Sequence, residues 1–92
     1  MIRSFKDKKA EDFFCGNPVK QFSGIKKVVE RKLTMLDNAV TLDDLRSPTG
    51  NRLEKLKGDR EGQHSIRIND QYRICFVWPD GDVFDVEITD YH

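Results

Sequence analysis

The apolar residues follow a helical period in the first half of the chain and a strand period in the second half. Between residues 23 and 38 the apolar side chains recur at helical spacing, which predicts an amphipathic helix. Those side chains are Ile25, Val28, Val29, Leu33 and Leu36. Ser23 is placed to cap the start of this helix, and its opposite face carries Lys26, Lys27, Glu30 and Arg31.

A shorter helix is predicted from "DKKAEDFFCG". Asp7 is placed as its N-cap, and Gly16 follows its last turn. Its inner stripe would consist of Ala10, Phe13 and Phe14. Further along, Thr41 and Asp44 give "TLDDL" the form of a capping box, which predicts one helical turn. The following "RSPTGNR" is predicted to be a loop.

Four segments are predicted to be β-strands. "MIRSF" is a short apolar opening that would form an edge strand. "HSIRI" and "YRICFVW" would form a hairpin with a tight turn at Asn69 and Asp70, and "PDGD" marks a second hairpin. In "VFDVEITDYH" the apolar residues Phe84, Val86 and Ile88 alternate with Asp85, Glu87 and Thr89.

This order of elements predicts a single α+β domain over residues 1–92. Its order would be β-α-α-β-β-β, with two N-terminal helices packed on one face of a curved, mostly antiparallel four-stranded sheet. Helices can cover only one face of such a sheet. We therefore expect the other face to be an open, shallow groove in which an extended polymer could lie.

Composition excludes several classes of protein. The 92 residues are 37% hydrophobic and 35% charged, and no apolar run approaches the roughly 18 residues of a membrane span. The opening "MIRSFKDKK" lacks the apolar core of a signal peptide, which favours the cytoplasm. Cys15 and Cys75 have no zinc-ligand spacing, so we expect two reduced thiols.

The net charge of zero hides an uneven distribution. Residues 1–60 contain 14 Lys and Arg against 9 Asp and Glu, a net charge of +5. Residues 61–92 contain 2 against 7, a net charge of −5. The basic groups Lys6, Lys8, Lys9 and Lys26, Lys27, Arg31, Lys32 would suit a polyanion, or they would form ordinary solvated helix faces.

Several cations converge in the second half of the chain. Lys55, Lys57 and Arg60 lie in or beside a loop bounded by Gly58 and Gly62, and Arg67 and Arg73 lie on adjacent strands. If Ile74 and Phe76 pack on the helices, alternation places Arg73 on the open face with Cys75 and Val77. A single arginine on a strand is usually a surface charge, whereas several cations that converge on one open face could instead hold a phosphate.

The last three residues, Asp90, Tyr91 and His92, can all take part in proton transfer. Metal-free RNA cleavage needs a base for the 2′-hydroxyl, an acid for the departing 5′-oxygen and cations for the phosphorane charge. Histidine suits proton transfer near neutral pH, and tyrosine can donate a proton or stack on a base. The two histidines have no metal-ligand spacing, so no metal site is predicted. Strict alternation would place Asp90 and His92 on the helix-covered face, unless a bulge re-aims them.

The whole pattern resembles the HigB-type toxins of the RelE/ParE superfamily. The resemblance covers nearly the whole chain and lies in "MIRSF", "IKKVVERKLTMLDNA", "LKGDREGQHSIRINDQYRICF" and the closing "DYH". The run "GDREG…SIRIND" followed by a terminal "DYH" is its most specific part.

The resemblance implies a RelE-like fold of the microbial ribonuclease type. It implies an endoribonuclease that cuts messenger RNA in the ribosomal A site without a metal or another cofactor. A helix-turn-helix, HigA-like antitoxin would silence the toxin and contact the operator DNA. The implied catalytic residues are His92, Tyr91, Asp90, Lys57 and Arg73. The implied RNA contacts are Arg60, Arg67, Lys55 and His64.

The chain departs from the family pattern at one place. Related toxins can carry a histidine shortly before the Lys-Gly step, whereas this chain reads "LEKLKG" with Glu54 at that position. If the family's histidine assists catalysis, this protein must work without it or use His64.

Two other functions remain open from the sequence. A ParE-like toxin that binds DNA gyrase needs no proton-transfer residues, and a non-enzymatic RNA- or protein-interaction module would tolerate substitution of "TDYH". A terminal His92 together with Lys57 and Arg73 favours the nuclease over the gyrase-binding toxin.

Overall fold

The computed structural model describes residues 1–46 and 51–90. The first half of the chain is helical, with α1 at Lys8–Phe14 and α2 at Lys26–Asn38. Two 3₁₀ helices accompany them at Lys20–Ile25 and Leu42–Leu45. The second half forms the strands β1 (Glu54–Lys55), β2 (Gln63–Arg67), β3 (Tyr72–Val77) and β4 (Phe84–Asp90). None of the described helices is long and apolar enough to cross a bilayer.

Helix α1 begins and ends where local sequence chemistry predicts. The Asp7 carboxylate accepts a hydrogen bond from the Lys9 amide at 3.0 Å, and Gly16 has a φ of +92°, which glycine adopts without strain. Ala10 and Phe13 are buried against the core. The predicted inner stripe is wrong at Phe14, which is 38% exposed, because it lies at the edge of the buried face.

Helix α2 has the predicted core face but a different start. Val29, Leu33 and Leu36 are fully buried. Ser23 does not cap the helix: it lies inside the preceding 3₁₀ helix, and the N-cap residue is Ile25, which makes no side-chain cap bond. The 3₁₀ turn at Leu42–Leu45 has the predicted capping box, with Thr41 as N-cap.

Lys32 is not part of a solvated basic face. It is buried and donates a hydrogen bond to the Asn51 side-chain oxygen. Asn51 in turn donates to the Leu45 carbonyl at 3.1 Å, so these residues join α2 to the segment that leads into β1. Burial, followed by the charges of Arg31 and Arg67, lowers the pKa of Lys32.

The four strands form one antiparallel sheet in the order β1-β2-β3-β4. The predicted fold class is confirmed, but the strand at one edge is β1, which includes Glu54. The predicted strand "MIRSF" forms only isolated parallel bridges, Ile2 to Val83 and Phe5 to Val86. Between these two bridges the Asp85 amide donates a hydrogen bond to the Ser4 hydroxyl at 2.9 Å.

The two predicted hairpins are present. Between β2 and β3 the Asn69 side-chain oxygen accepts hydrogen bonds from the amides of Gln71 and Tyr72, at 2.9 and 2.7 Å, which closes the tight turn. Between β3 and β4, Gly81 has a φ of +80°. The side-chain hydrogen bonds of Asn69 and the positive φ of Gly81 explain why these residues predict turns at these positions.

A β-bulge at the start of β4 changes which face Phe84 occupies. Cys75 pairs with Glu87 and Val77 with Phe84, so β4 has one extra residue between these pairs. Asp85 takes the unusual φ of +54° at this point. Directly paired residues share a face of a sheet, so Phe84 lies on the face of Val77. The predicted alternation of Phe84 with Val86 and Ile88 is therefore wrong at Phe84.

The main core lies between the helices and one face of the sheet. Fully buried apolar side chains from the sheet are Ile66, Ile74, Phe76 and Val86, and the helical layer supplies Phe22, Val29, Leu33, Leu36 and Leu45. The rings of Phe22 and Tyr72 meet edge to face with centroids 5.7 Å apart. This packing leaves the opposite face of the sheet to the polar side chains described next.

Candidate functional site

We call the face of the sheet opposite the helices the site face. The register assigns side chains from all four strands to it. These are Glu54 of β1, Gln63, Ser65 and Arg67 of β2, Arg73, Cys75 and Val77 of β3, and Phe84, Glu87 and Thr89 of β4. Arg73, Cys75 and Val77 therefore share a face as predicted.

The site face is not the open groove that the sequence predicts. Ser65 and Cys75 are 0% exposed and Arg73 is 8% exposed. A 3₁₀ turn at Gly58–Arg60 follows β1, and Arg60 in this turn reaches Glu87 on β4, two strands beyond β2. The Arg60 side chain, which comes from the connection between β1 and β2, therefore lies over part of the face.

Arg73 is the most firmly held cation of the site face. Its Nε donates to the Ser65 hydroxyl at 2.8 Å, and its Nη2 donates to the Arg52 carbonyl at 2.7 Å. The Glu54 carboxylate lies 3.9 Å from the same Nη2 atom. Hydrogen bonds to a buried, charged group are strong and directional, so the guanidinium is fixed before any ligand arrives.

Arg60 and Arg67 each pair with an acid. Arg60 Nη1 donates to Glu87 Oε1 at 2.9 Å and to Gln63 Oε1 at 3.2 Å. Arg67 stands directly opposite Arg73 in the β2–β3 register and donates to the Asp70 carboxylate. A polyanion at this face would compete with these carboxylates for the arginines.

The partners of these arginines were not predicted from the sequence. Ser65 and Gln63 belong to the strand that pairs with β3, and Glu87 shares the face only because of its register with Cys75. The alternation of apolar and polar residues in β4 predicts that Glu87 and Val86 lie on opposite faces of the sheet. It does not predict that Glu87 contacts Arg60.

Lys57 and Lys55 differ in their placement. Lys57 is exposed, just before the 3₁₀ turn, and its ammonium has no hydrogen-bond or ion-pair partner among residues 1–46 and 51–90. Lys55 is exposed on the edge strand and pairs with His64, so it points to the face opposite Glu54. Of the two lysines, Lys57 is the one directly before the 3₁₀ turn that contains Arg60.

His64 does not share the face of Arg73. It pairs with Phe76, and the two rings stack with centroids 6.0 Å apart. Its Nδ1 is buried without a hydrogen-bond partner in the described part of the chain. Burial, and then the charge of Lys55, lowers the pKa of His64, so the ring stays neutral at neutral pH. This placement argues against His64 as a substitute for a site histidine.

Asp90 ends β4 opposite Tyr72. The pairing from Glu87 to Asp90 is regular, so the upstream bulge does not re-aim Asp90, which stays on the face of Ile88. Its carboxylate accepts a hydrogen bond from Gln71 Nε2 at 3.1 Å. The predicted site residues Tyr91 and His92 lie outside the described residues.

The two cysteines and the remaining carboxylates do not form a further site among the described residues. Cys15 is exposed, Cys75 is buried, and both are free. The Thr89 hydroxyl lies 3.6 Å from Cys75 Sγ within the sheet. Over the residues that the structure describes, His, Cys, Asp and Glu side chains form no group of three suited to a metal ion.

Comparison with known proteins shows the family. Residues 3–92 match the family model described as "RelE-like toxin of type II toxin-antitoxin system HigB". Toxin HigB-1 of Vibrio cholerae serotype O1 is 45% identical over 83 residues, which span 88% of this chain and 87% of the relative. Endoribonuclease HigB of Proteus vulgaris is 33% identical over an alignment of 97 positions covering all of both chains.

Solved structures support the same fold. A chain of the heterotetrameric YoeB-YefM toxin-antitoxin complex from Staphylococcus aureus matches with a TM-score of 0.63, covering 100% of this chain and 98% of that chain. Its sequence identity is 22%, so this likeness concerns the fold alone. Together with the match over residues 3–92, these findings show that the chain belongs to the HigB family of RelE-like toxins of type II toxin–antitoxin systems.

Proposed function

We propose that this protein is an endoribonuclease that cuts messenger RNA on the ribosome, in the cytoplasm, without a metal. The observation that carries the proposal is the position of the Arg73 guanidinium. The Arg73 side chain is buried, and its guanidinium donates hydrogen bonds to the Ser65 hydroxyl and the Arg52 carbonyl. A fixed cation that requires no rearrangement is suited to the charge that develops on a phosphorane. The relative from Proteus vulgaris that aligns along its whole length is named an endoribonuclease.

The reaction requires a small set of groups. The RNA 2′-oxygen loses its proton and attacks the neighbouring phosphorus, and the bond to the 5′-oxygen breaks as that oxygen gains a proton. The products are a 2′,3′-cyclic phosphate and a 5′-hydroxyl. Arg73 and Lys57 would stabilise the negative charge on phosphorus, and His92 would donate the proton to the leaving oxygen.

The other predicted residues have supporting roles in this proposal. Tyr91 would stack on a base or assist the proton transfer, and Asp90 would orient its neighbours at the end of β4. Arg60 and Arg67 would contact RNA phosphates after exchanging their carboxylate partners, and Lys55 would contact RNA from the edge strand. We assign no RNA contact to His64, because its side chain lies on the face of the sheet that the helices cover.

The proposed partners follow from membership of a toxin–antitoxin family. We propose a helix-turn-helix, HigA-like antitoxin, with contact to operator DNA only through that antitoxin. The ribosomal A site would present the messenger RNA. A gene for a helix-turn-helix protein beside this one would support the pairing.

Cleavage of a reporter mRNA in a reconstituted translation system tests the function. The wild-type protein should produce discrete cleavage, mapped by primer extension, in reactions with ribosomes, and should retain it when divalent ions are limited to those the ribosome binds. His92→Ala should abolish cleavage and growth arrest while the protein stays folded. Cleavage at the wild-type rate by a chain truncated after Asp90 would contradict the proposal, as would DNA-damage signalling without mRNA cleavage.

A further inference from the structure

Asn51 is a fully buried polar residue whose side-chain partners lie in the helical layer. Its Oδ1 accepts a hydrogen bond from the Lys32 ammonium of α2, and its Nδ2 donates to the Leu45 carbonyl at 3.1 Å. The same Nδ2 lies 3.0 Å from Met35 Sδ, which also belongs to α2. Both polar groups of the amide therefore have partners, and these partners hold residue 51 against α2 and the 3₁₀ turn that follows it.

Packing alone does not account for a lysine at position 32. The Lys32 side chain is 6% exposed, and an ammonium group that leaves water loses hydration that only hydrogen bonds and charges can replace. A methionine would fill a similar volume without this loss. The feature that distinguishes the lysine is the hydrogen bond that its ammonium donates to Asn51.

The residue after Asn51 has an unusual backbone conformation and contacts the site. Arg52 has a φ of +46°, a region that residues with a side chain seldom adopt and keep only where their surroundings impose it. Its carbonyl accepts a hydrogen bond from Arg73 Nη2 at 2.7 Å. One planar peptide unit joins residues 51 and 52, so a displacement of Asn51 would move this carbonyl. On the other side, the pairing of Glu54 with Ser65 fixes the start of β1.

We propose that Lys32 and Asn51 are positioning residues for Arg73 in RNA cleavage. Their buried hydrogen bonds hold the Arg52 carbonyl where Arg73 donates to it, and so fix the guanidinium that stabilises the phosphoryl charge in the proposed nuclease. Neither residue touches RNA. The inference rests on the proposed function for the part that Arg73 takes in the reaction.

Single-turnover cleavage of ribosome-bound mRNA by Asn51→Ala tests the inference. The variant removes both polar groups of the amide. We expect the rate at saturating protein to fall by roughly 10- to 100-fold, because a displacement of about 1 Å in a catalytic group has an effect of this size. The protein concentration that gives half the maximal rate should stay within about threefold of wild type, since binding is unaffected.

Val29→Ala is the matched control for lost packing. Val29 is a fully buried residue of the same helix, and its truncation leaves the hydrogen bonds of Asn51 in place. Each variant is assayed at the same interval below its own Tm, so that the folded fractions are equal, and Val29→Ala should then cleave close to the wild-type rate. Lys32→Met should lower the rate in the same direction as Asn51→Ala. It keeps the bond from Asn51 to Leu45, so it carries the comparison if Asn51→Ala does not fold.

A double-mutant cycle on the cleavage rate separates positioning from a general loosening of the fold. Arg73→Lys keeps a positive charge but loses the planar fork that donates to Ser65 and Arg52. In this background Asn51→Ala should change the remaining rate by less than about twofold, because no guanidinium is left to position. An equal fractional loss in both backgrounds would overturn the inference, since Asn51 would then not act through Arg73.

NMR of isotope-labelled arginine follows the guanidinium without relying on cleavage. Restricted rotation gives the Nη protons of a guanidinium separate resonances, and fast rotation merges them. The Arg73 signals, assigned by their loss in Arg73→Lys, should be separate in the wild-type protein and in Val29→Ala. They should broaden or merge in Asn51→Ala and in Lys32→Met. Unchanged signals in both of these variants would contradict the proposed positioning.

The outcomes separate the inference from the proposed function. If Asn51→Ala and Lys32→Met cleave as fast as Val29→Ala, the nuclease stands and the two residues do not position its arginine. If the wild-type protein does not cleave mRNA, the proposed function fails and the role in cleavage fails with it. In that case the NMR signals of Arg73 still decide whether Lys32 and Asn51 hold the guanidinium in place.

Discussion

The hydrogen bond between Ser65 and Arg73 makes a measurable prediction about how the site is built. Ser65 is fully buried and its hydroxyl accepts from Arg73 Nε at 2.8 Å. Ser65→Ala removes the acceptor and leaves a buried N–H of a charged group without this partner. Hydrogen bonds to charged groups contribute about 1.5–3 kcal/mol, so the free energy of unfolding should fall by about 2 kcal/mol.

Thermal and urea denaturation of the purified variants measure this loss. For a domain of this size, about 2 kcal/mol corresponds to a decrease in Tm of roughly 8–16 °C. Ser23→Ala is the matched control: Ser23 is exposed, so its replacement should change the free energy of unfolding by about 0.5 kcal/mol or less. The activity of Ser65→Ala should also fall, because the guanidinium of Arg73 loses one of the hydrogen bonds that fix its orientation.

A double-mutant cycle isolates the interaction. Ser65→Ala, Arg73→Met and the double variant should give a coupling free energy of about 1.5–3 kcal/mol. A coupling below about 0.5 kcal/mol would refute the reasoning, because the bond would then contribute nothing beyond what water supplies. The Arg52 carbonyl, which also accepts from Arg73, is unchanged across the cycle.

Two further predictions concern His64 and Glu87. Burial lowers the pKa of His64 below its ordinary 6.5, so the unfolded chain binds more protons than the folded one as the pH falls below 6.5. The contribution of His64 to stability should therefore be full above pH 6.5 and decline as the pH falls. His64→Phe should reduce this decline in urea titrations from pH 7.5 to 5. If Arg60 contacts an RNA phosphate as proposed, Glu87, which accepts a hydrogen bond from Arg60, competes with that phosphate. Glu87→Gln should then tighten binding of a short single-stranded RNA several-fold at low salt, measured by fluorescence anisotropy, and steepen the salt dependence by about 0.7 in log–log slope. Unchanged binding by Glu87→Gln would mean that Arg60 makes no phosphate contact.

Local chemistry made much of the fold predictable. The Asp7 cap and Gly16 bound α1, Asn69 closes the turn between β2 and β3, and the spacing of Val29, Leu33 and Leu36 places α2 on the core. Each of these features depends on groups a few residues apart, so each appears in the sequence as a short pattern. The family resemblance, which rests on the run around "SIRIND" and the closing "DYH", was confirmed by the family match over residues 3–92.

The arrangement of the site depended on contacts between distant residues. Arg60 meets Glu87 across a sequence separation of 27 residues, and its side chain lies over a face that alternation alone would leave open. The bulge at Asp85 moves Phe84 to the site face. His64 is adjacent to Ser65 in the sequence, yet its pairing with Phe76 places it on the opposite face of the sheet.

The sequence by itself determined the type and order of most elements, because caps, turns and apolar periods act over one or two turns of chain. The tertiary structure alone decided the site face: which strand lies at the edge, where the bulge falls, and which acid meets each arginine. These depend on strand register, and a shift of register by one residue exchanges the two faces of a strand. Short-range patterns fix the period of a strand without fixing its partner, so Glu54 and Arg73 meet only once β1, β2 and β3 are paired.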